Sequence, residues 1–414
     1  MERLISAFGL LAMIAVAWLM SSHKKQVNLR IIVGGVALQF AFALLIFTEY
    51  GGVAFDSLGQ SFKRLLDFSD RGTAFLFDIH PRQGDESLPP QYTLWRSFAF
   101  GVLPTIIFFS SLMSILYYLG IMQRIVQFFS WIMRMTLHTS GAETLSVAAN
   151  IFVGQTEAPL VIRPYVNKMT LSELNVVMVG GFATIAGGVF AAYVSFGADP
   201  GHLITASVIS APAALLIAKV MVPETQHSET LGDVEIKVER KSANVIEAAA
   251  EGATAGMKLA LNVAAMLIAF VALIYMFNAI VGWCGSLFDQ QWSLQQGLGY
   301  LFWPFAWLMG IPAKECYVSG QLLGTKMVVN EFLAYYELGE IIKGNSGQLS
   351  ERSIIILTYA LCGFANFGSI GIQLGGIGGI APERRGDLAR LGLRAMIGGT
   401  LAAFMTACVA GILI

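Results

Sequence analysis

Apolar runs long enough to cross a lipid bilayer recur along this chain, and they constrain its fold more than any other feature. A spanning helix needs about 20 predominantly apolar residues. Candidate spans are Ile5–Met20, Ile31–Thr48, Ser97–Leu119, Leu171–Phe196, His202–Val222, Met257–Val281, Ser353–Phe367 with its continuation, and Leu391–Leu413. Backbone groups in lipid must bond to one another, so these runs read as helices. The chain is 56% hydrophobic and 13% charged, where a soluble domain carries about a quarter charged residues. The expected fold class is an all-α polytopic membrane protein with eight transmembrane helices.

Two apolar segments do not fit as plain spans. Leu145–Tyr165 contains Asn150, Gly154, Gln155, Thr156, Glu157, Pro159 and Pro164. Gly310–Tyr336 contains Pro312, Lys314, Glu315, Lys326, Asn330 and Glu331. Glycine and proline argue against a continuous helix here. A carboxylate at membrane depth costs roughly 2.5–3.5 kcal/mol on insertion scales, so it is a functional residue by default. A loop outside the bilayer is the plainer alternative for the first segment. Irregular backbone at depth is tolerated where protein buries it or water reaches it.

Lys and Arg concentrate on the cytoplasmic side of short loops. Lys24, Lys25 and Arg30 follow the first span, and Arg384, Arg385 and Arg390 precede the last. Eight spans then leave both termini outside. The two broken segments must be re-entrant hairpins entering from opposite faces, as an inverted repeat gives. Each half reads as a span, a broken segment with a Glu, a span with a Gly-rich polar break, and a plain span. The expected divisions are 1–96 (two spans and an interfacial helix), 97–222 (first half), 223–252 (hydrophilic linker) and 253–414 (second half). The pattern of Val53–Phe77 suggests a helix lying in the interface. Ile121–Leu137 is a second such candidate, and Gly84–Gln91 reads as a surface loop.

Several function classes drop out. The net charge is -1, with no basic stripe for nucleic acid. Cys284, Cys316, Cys362 and Cys408 are dispersed, with no metal-ligand or disulfide spacing. The five histidines form no ligand cluster. Ile5–Met20 leads into Ser21, Ser22, His23, Lys24 and Lys25 without a small-residue cleavage site, so a first span is expected rather than a signal peptide.

Four polar clusters lie within apolar sequence: Asn150 with Gln155-Thr156-Glu157, then Thr184, then Asn330-Glu331, then Asn366 with Ser369. Taken singly, Thr184 or Ser369 reads more readily as a helix-to-helix bond. Together, two carboxylates with amides and hydroxyls, and no nucleophile–base pair, suit binding a polar solute. Amides can read the edge of a heterocyclic base. Carboxylates and amides can bind sugar hydroxyls. Oxygen ligands from side chains and broken backbone suit a small hard cation.

The motifs GQTEAPLVIRPY, GGFATIAGG, NEFLAY and CGFANFGSIGIQLGGIGGIAPERR, in that order, resemble those of the concentrative nucleoside transporters, the bacterial sodium-coupled type above all. The resemblance runs from about Phe98 to the C-terminus. It implies a homotrimer in the bacterial inner membrane and an elevator motion between a scaffold and a transport part. It implies that Gln155, Thr156 and Glu157 contact the nucleobase and that Phe364 packs near it. Leu259 or Leu261 would cover the other face. Glu331, Asn366 and Ser369 would hold the ribose. The coupling sodium would sit on Asn150 and Thr184 side chains and the carbonyls of Asn150, Val153, Thr184 and Ile185. Thr184 stands where the family usually has Ser, and Ala313-Lys314-Glu315 replaces a usual Trp-Asn-Glu. Asn150 and the Gln-Thr-Glu tip favour sodium over protons.

The function expected is therefore a symporter importing nucleosides, uridine-like pyrimidines and in a wider range purines, and not an enzyme. A proton-coupled symporter is the nearest alternative. A passive channel and an intramembrane enzyme acting on a nucleotide-linked substrate are more distant ones, the latter lacking a phosphate cradle or a carboxylate cluster.

Overall fold

The computed structural model describes residues 1–47, 60–61, 64–66, 68–76, 98–230, 242–344 and 347–414, and among these it is helical with no strand. Helix α1 is Glu2–Leu19 and α2 is Leu29–Phe47. Within the expected interfacial segment the described residues 60–61, 64–66 and 68–76 are helical, and the stretch 68–76 is α3. Gly84–Gln91 lies outside the described residues. Next come α4 (Phe98–Gly101), α5 (Leu103–Tyr118) and α6 (Ile121–Leu137). The first hairpin is α7 (Gly141–Asn150) and α8 (Ala158–Val161). Helices α9 (Leu171–Ala183), α10 (Gly187–Phe196) and α11 (Pro200–Met221) complete the first half.

The second half has α12 (Val245–Ser286) and α13 (Leu294–Leu308). Its hairpin is α14 (Cys316–Val328) and α15 (Glu331–Lys343). Helices α16 (Glu351–Leu361), α17 (Phe367–Ile380) and α18 (Arg385–Leu413) follow. Among the described residues, seven helical stretches are long and apolar enough to cross a membrane. The remaining expected span, Ser353–Phe367 with its continuation, is the pair of half-helices α16 and α17. The span Leu171–Phe196 is likewise divided, into α9 and α10.

Three features depart from the sequence reading. Helix α12 starts at Val245, inside the stretch assigned to the linker, because Asn244 caps it by accepting from the Glu247 N–H at 2.9 Å. Helix α13 was not anticipated as an element; a capping box between Ser293 and Gln296 starts it. The linker's near end is not free either: Ser228 and Thr230 are buried, and the Gly141 N–H donates to the Thr230 carbonyl at 3.1 Å.

Helix α6 matches its expected span residue for residue. Met122, Val126, Ser130, Met133 and Leu137 are buried, while Phe128, Trp131 and Met135 are exposed on the other side. Spacings of three and four put the buried set on one face.

Helix α12 is attached to α5 by small residues. Ala248, Gly252, Gly256 and Ala260 form its buried stripe at intervals of four. A Cβ on Gly256 would stand 2.7 Å from the Ile107 Cα, and one on Gly252 would stand 2.6 Å from the Ser114 Cβ. Small residues at this spacing let backbones approach closely where lipid supplies no hydrophobic drive. The rest of α12 exposes a long apolar side that includes Ile268, Tyr275, Phe277 and Trp283.

The two hairpins have their bases at opposite ends of the molecule. At the first base, the Arg384 guanidinium donates to the Met169 carbonyl at 2.6 Å and the Thr170 hydroxyl donates to Glu224 at 2.8 Å. At the second, Arg352 donates to the Gly411 carbonyl at 2.6 Å, beside both termini, where Arg3 donates to the Ile414 carbonyl at 2.7 Å. Arg384 and Gly411 mark the two ends of the 29-residue α18, a separation of about 40 Å at 1.5 Å per residue.

A buried ion pair stiffens the first base. Lys219 lies 2.8 Å from Glu143 and 3.3 Å from Glu224. Glu173 closes a capping box on Thr170 and accepts from the Ser228 hydroxyl at 2.6 Å and from Thr230.

Candidate substrate and cation site

Both broken spans carry Gly-Phe-Ala at the interruption: Gly181-Phe182-Ala183 ends α9 just before Thr184, and Gly363-Phe364-Ala365 follows the end of α16 just before Asn366. The two breaks lie against each other. The Phe364 N–H donates to the Thr184 carbonyl at 3.3 Å. Gly363 has φ 141°, and a Cβ there would stand 2.7 Å from the Phe182 carbonyl oxygen. Only glycine takes that conformation and that contact without strain.

Each break leaves a helix C-terminus and a helix N-terminus in the protein interior. Asn366 caps α17 by accepting from the Ser369 N–H at 2.8 Å. Asn330 caps α15 by accepting from the Leu333 N–H at 2.8 Å. Glu331 therefore sits in the first turn of α15, where the helix dipole favours a negative charge.

The hairpin tips and the second break are joined by hydrogen bonds. Asn366 Nδ2 donates to Glu331 Oε2 at 3.0 Å, and the Tyr193 hydroxyl donates to Glu331 Oε1 at 3.1 Å. Gln155 Nε2 donates to Ser369 Oγ at 3.1 Å. Gln373 Nε2 donates to Gln155 Oε1 at 3.0 Å and to the Met178 carbonyl at 3.1 Å. Gln155, Glu331, Asn366 and Ser369 are all buried. Residues more than 200 positions apart thus meet in one polar seam.

The structure does not bring every expected residue into that seam. Glu157 is exposed, and its Oε2 accepts from the Gly154 N–H at 3.2 Å, which folds the tip back on itself. Thr156 is half-buried; its Cγ2 stands 2.7 Å from where a Cβ on Gly376 would lie. Phe364 is half-buried at the second break. Of the two leucines, Leu261 is 61% exposed. Leu259 packs against the core, its Cδ2 3.5 Å from a Cβ position on Gly188 at the start of α10.

Asn150, Val153, Thr184 and Ile185 are buried beside the first break. Asn150 Nδ2 donates to the Ser146 carbonyl at 3.2 Å, which leaves its Oδ1 buried without a hydrogen-bond partner. The Thr184 hydroxyl donates to the Gly180 carbonyl at 2.9 Å. Asn150 reaches the same glycine, its Nδ2 3.5 Å from where a Cβ on Gly180 would stand. Among the described residues, the carbonyls of Asn150, Val153 and Ile185 accept no backbone hydrogen bond. An orphaned amide oxygen beside unpaired carbonyls, at the negative end of α9, is a donor set for a hard cation. No group of His, Cys, Asp and Glu among the described residues could hold a transition metal.

Three residues of the site were missed as site residues by the sequence reading. Gln373 was the polar residue in the glycine-rich run after Ser369, and Tyr193 the polar-tipped residue in an apolar helix. Lys326 stood only as one of the charged residues within Gly310–Tyr336. It is buried, and its Nζ donates to the Ala360 carbonyl at 2.7 Å.

At the base of the second hairpin, Glu315 accepts from the Ser350 N–H at 2.9 Å and its hydroxyl at 2.8 Å. Burial alone would raise its carboxyl, but the hydrogen bonds from Ser350 and Ser353 and the nearby Lys314 hold it below the usual carboxylate range. Lys314 is 83% exposed at the side chain. The charge of Lys314 is thus on the hairpin's surface, and Glu315 ties the hairpin base to the start of α16.

Comparison with known proteins gives one family. A family model described as the C-terminus of the Na+ dependent nucleoside transporters matches residues 202–411, and its N-terminal counterpart matches 8–79. A nucleoside recognition (Gate) model matches 99–200. Solute carrier family 28 member 3 of Eptatretus stoutii is 44% identical over 426 residues, covering all of this chain but 61% of the relative. Sodium/nucleoside cotransporter 1 of Mus musculus is 44% identical, with 64% of its length covered. The chain therefore spans about three fifths of these relatives. An uncharacterized transporter of Haemophilus influenzae is 45% identical and 98% covered. CNTnw in an inward-facing substrate-bound state superposes with a TM-score of 0.92 at 42% identity, covering 100% of this chain and 98% of that one. A variant of CNTnw in an outward-facing state gives 0.91.

Proposed function

The chain belongs to the sodium-dependent nucleoside transporter family, and on that premise we propose that it is a symporter that imports nucleosides on a sodium gradient. One observation carries this reading: hydrogen bonds link Gln155 of the first hairpin to Ser369, and Glu331 of the second hairpin to Asn366. A solute bound between the tips touches both halves of the molecule at once.

In this reading the nucleobase meets Gln155, Thr156 and Glu157, with Phe364 and Leu259 against its faces. Ribose hydroxyls bond to Glu331, Asn366 and Ser369. Sodium is the transported coupling ion and binds at Asn150, Val153, Thr184 and Ile185. It binds first and orders the Gln155–Glu157 tip, so that the nucleoside loses less conformational freedom. The coupling is reciprocal: nucleoside raises sodium affinity by the same factor. At about 2.3 kcal/mol per charge per 100 mV, one inward sodium supports accumulation of tens of fold from the potential alone.

Alternating access moves the hairpins and broken spans as an elevator against a scaffold of α1, α2, α5 and α12. The exposed apolar side of α12 meets lipid and the neighbouring copies of a homotrimer. The two basic clusters share one end of the molecule and the termini the other, which supports a bacterial inner-membrane protein with both termini outside. A Gln-Thr-Glu tip presents donors and acceptors that suit uridine-like pyrimidines, with purines as the wider range.

The test is uridine uptake into proteoliposomes, with a sodium gradient, with a proton gradient, and with neither. Sodium-driven accumulation above the external concentration is expected, and returned uridine must be unchanged. Accumulation driven by protons alone would transfer the reading to a proton symporter, and mere equilibration would make it a channel.

A further inference from the structure

A side-chain amide has two unlike ends, and its neighbours decide which end points where. Between the first hairpin, α9 and α17, two amides and a hydroxyl form a chain in which that choice is forced. Gln373 Nε2 lies 3.1 Å from the Met178 carbonyl oxygen and 3.0 Å from Gln155 Oε1. Gln155 Nε2 lies 3.1 Å from Ser369 Oγ. All three side chains are buried, where a donor or acceptor left unpaired is costly.

The chain runs in one direction. A backbone carbonyl only accepts, so Gln373 must turn its NH2 to Met178. Both hydrogens of that NH2 are then used, one on Met178 and one on Gln155. Gln155 must answer with its oxygen and turn its own NH2 to Ser369. Ser369 accepts, and its hydroxyl proton is left for the solute. Gln155 keeps a second N–H, also left for the solute. Turning Gln373 over would set its oxygen against the Met178 carbonyl. It would also place an NH2 where Gln373 Oε1 now has no partner. A buried carbonyl oxygen is stranded more readily than a buried N–H.

Gly181 makes room for this junction. A Cβ there would stand 2.8 Å from Gln373 Nε2 and 2.9 Å from Gln155 Cβ. Even an alanine would press the two side chains aside.

We propose that Gln373 is a specificity-determining positioning residue: without touching the solute, it orients Gln155 so that the hairpin tip offers an N–H, and so selects nucleobases that bring a carbonyl oxygen to it. With an apolar residue at 373, Gln155 is free to turn over, because the Ser369 hydroxyl donates as well as accepts. The tip then presents either end of the amide. This inference rests on the nucleoside-symport reading above.

The test is equilibrium binding of uridine, 2-thiouridine and 4-thiouridine to purified protein in saturating sodium, for wild type and Gln373→Met. Sulfur keeps the shape of the base but accepts a hydrogen bond poorly. Wild type binds uridine about fivefold more tightly than one of the two thiouridines, as for one neutral hydrogen bond. Gln373→Met brings that ratio within about twofold of unity. In a Gln155→Met background the same change moves the ratio no further, because its effect travels through that amide. Equal weakening of all three ligands by Gln373→Met would make Gln373 a packing residue and overturn the proposal; so would a wild type that binds all three alike. Should Gln373→Met fail to assemble, Gly181→Ala is read for the same ratio with Gln373 in place, and an unmoved ratio there overturns the proposal too. Absence of nucleoside binding by the wild type is the separate result that overturns the symport reading, and this inference with it.

Discussion

Replacing Glu331 with Gln changes one atom and almost no volume, yet its consequence can be worked from the neighbours. Asn366 cannot turn its amide, because its Oδ1 already accepts from the Ser369 N–H at 2.8 Å and caps α17. Its Nδ2 therefore always faces position 331, now 3.0 Å from Oε2. The new Gln must offer its oxygen to Asn366 and its NH2 to Tyr193, whose hydroxyl reverses to accept. Where the carboxylate had a free acceptor site on each oxygen for a ribose hydroxyl, the variant keeps one. The cost is one lost hydrogen bond and one that is no longer charge-assisted, together about 3 kcal/mol, or roughly 150-fold in affinity. The assay is equilibrium binding of uridine and 2′,3′-dideoxyuridine to purified protein in saturating sodium. Wild type should prefer uridine strongly, and in Glu331→Gln that preference should shrink by about this factor, the remaining part coming from the acceptor it keeps and from Asn366 and Ser369. If the variant still discriminates between them as wild type does, Glu331 does not hold the ribose and the site as drawn is wrong.

Three further outcomes follow from other parts of the structure. Asn150→Ala removes the orphaned amide oxygen and should raise half-saturating sodium by about tenfold, while uridine KM at saturating sodium moves less than about threefold; equal effects on both would detach Asn150 from the cation. Gly256→Leu forces a side chain into a gap where even a Cβ meets Ile107 at 2.7 Å, so thermal unfolding in detergent should show a loss of about 1–3 kcal/mol, and an unchanged Tm would argue that α12 and α5 part freely. Glu315 is held below its ordinary value by Ser350 and Ser353; its stabilisation is full above the unfolded carboxylate value and is lost as pH falls through the folded one, so Glu315→Gln should be less stable than wild type at pH 7 and converge with it in acid, as read by Tm against pH.

The spans were legible because lipid makes apolar length a sufficient signal, and α6 was legible to the residue because Gly120 and His138, both left-handed, stop it at each end. The hairpins were legible from the conflict between Glu157 or Glu331 and their apolar surroundings. Helix α13 was not, because Gln295, Gln296, Gly297 and Pro304 dilute an apolar run without placing a charge in it. Tyr193 and Gln373 were hidden for a different reason. Each is a single polar group on an otherwise apolar helix, and its meaning depends on partners 138 and 218 positions away. Local pattern identifies what must be explained at depth, and long-range pairing alone supplies the explanation.

The repeat explains why two breaks suffice to build a site for both a cation and a neutral solute. An intact helix buries its end charges at the membrane surface; a broken one delivers a carbonyl end and an amide end to the interior. Here α9 and α16 deliver carbonyl ends, and each is matched by positive charge, mobile at Asn150 and Thr184 in the proposed cycle and tethered at Lys326. The amide end at the second break, α17, and the one at the second hairpin tip, α15, are capped by Asn366 and Asn330, and the carboxylate of Glu331 lies between them. If the sequence had supplied two tethered cations, the site would have nothing to couple to; with none, the carbonyl end of α16 would lie buried without the ammonium it now bonds. One of each gives a pocket that is tolerable empty and is improved by sodium, and that difference between its two states is what a coupled carrier requires.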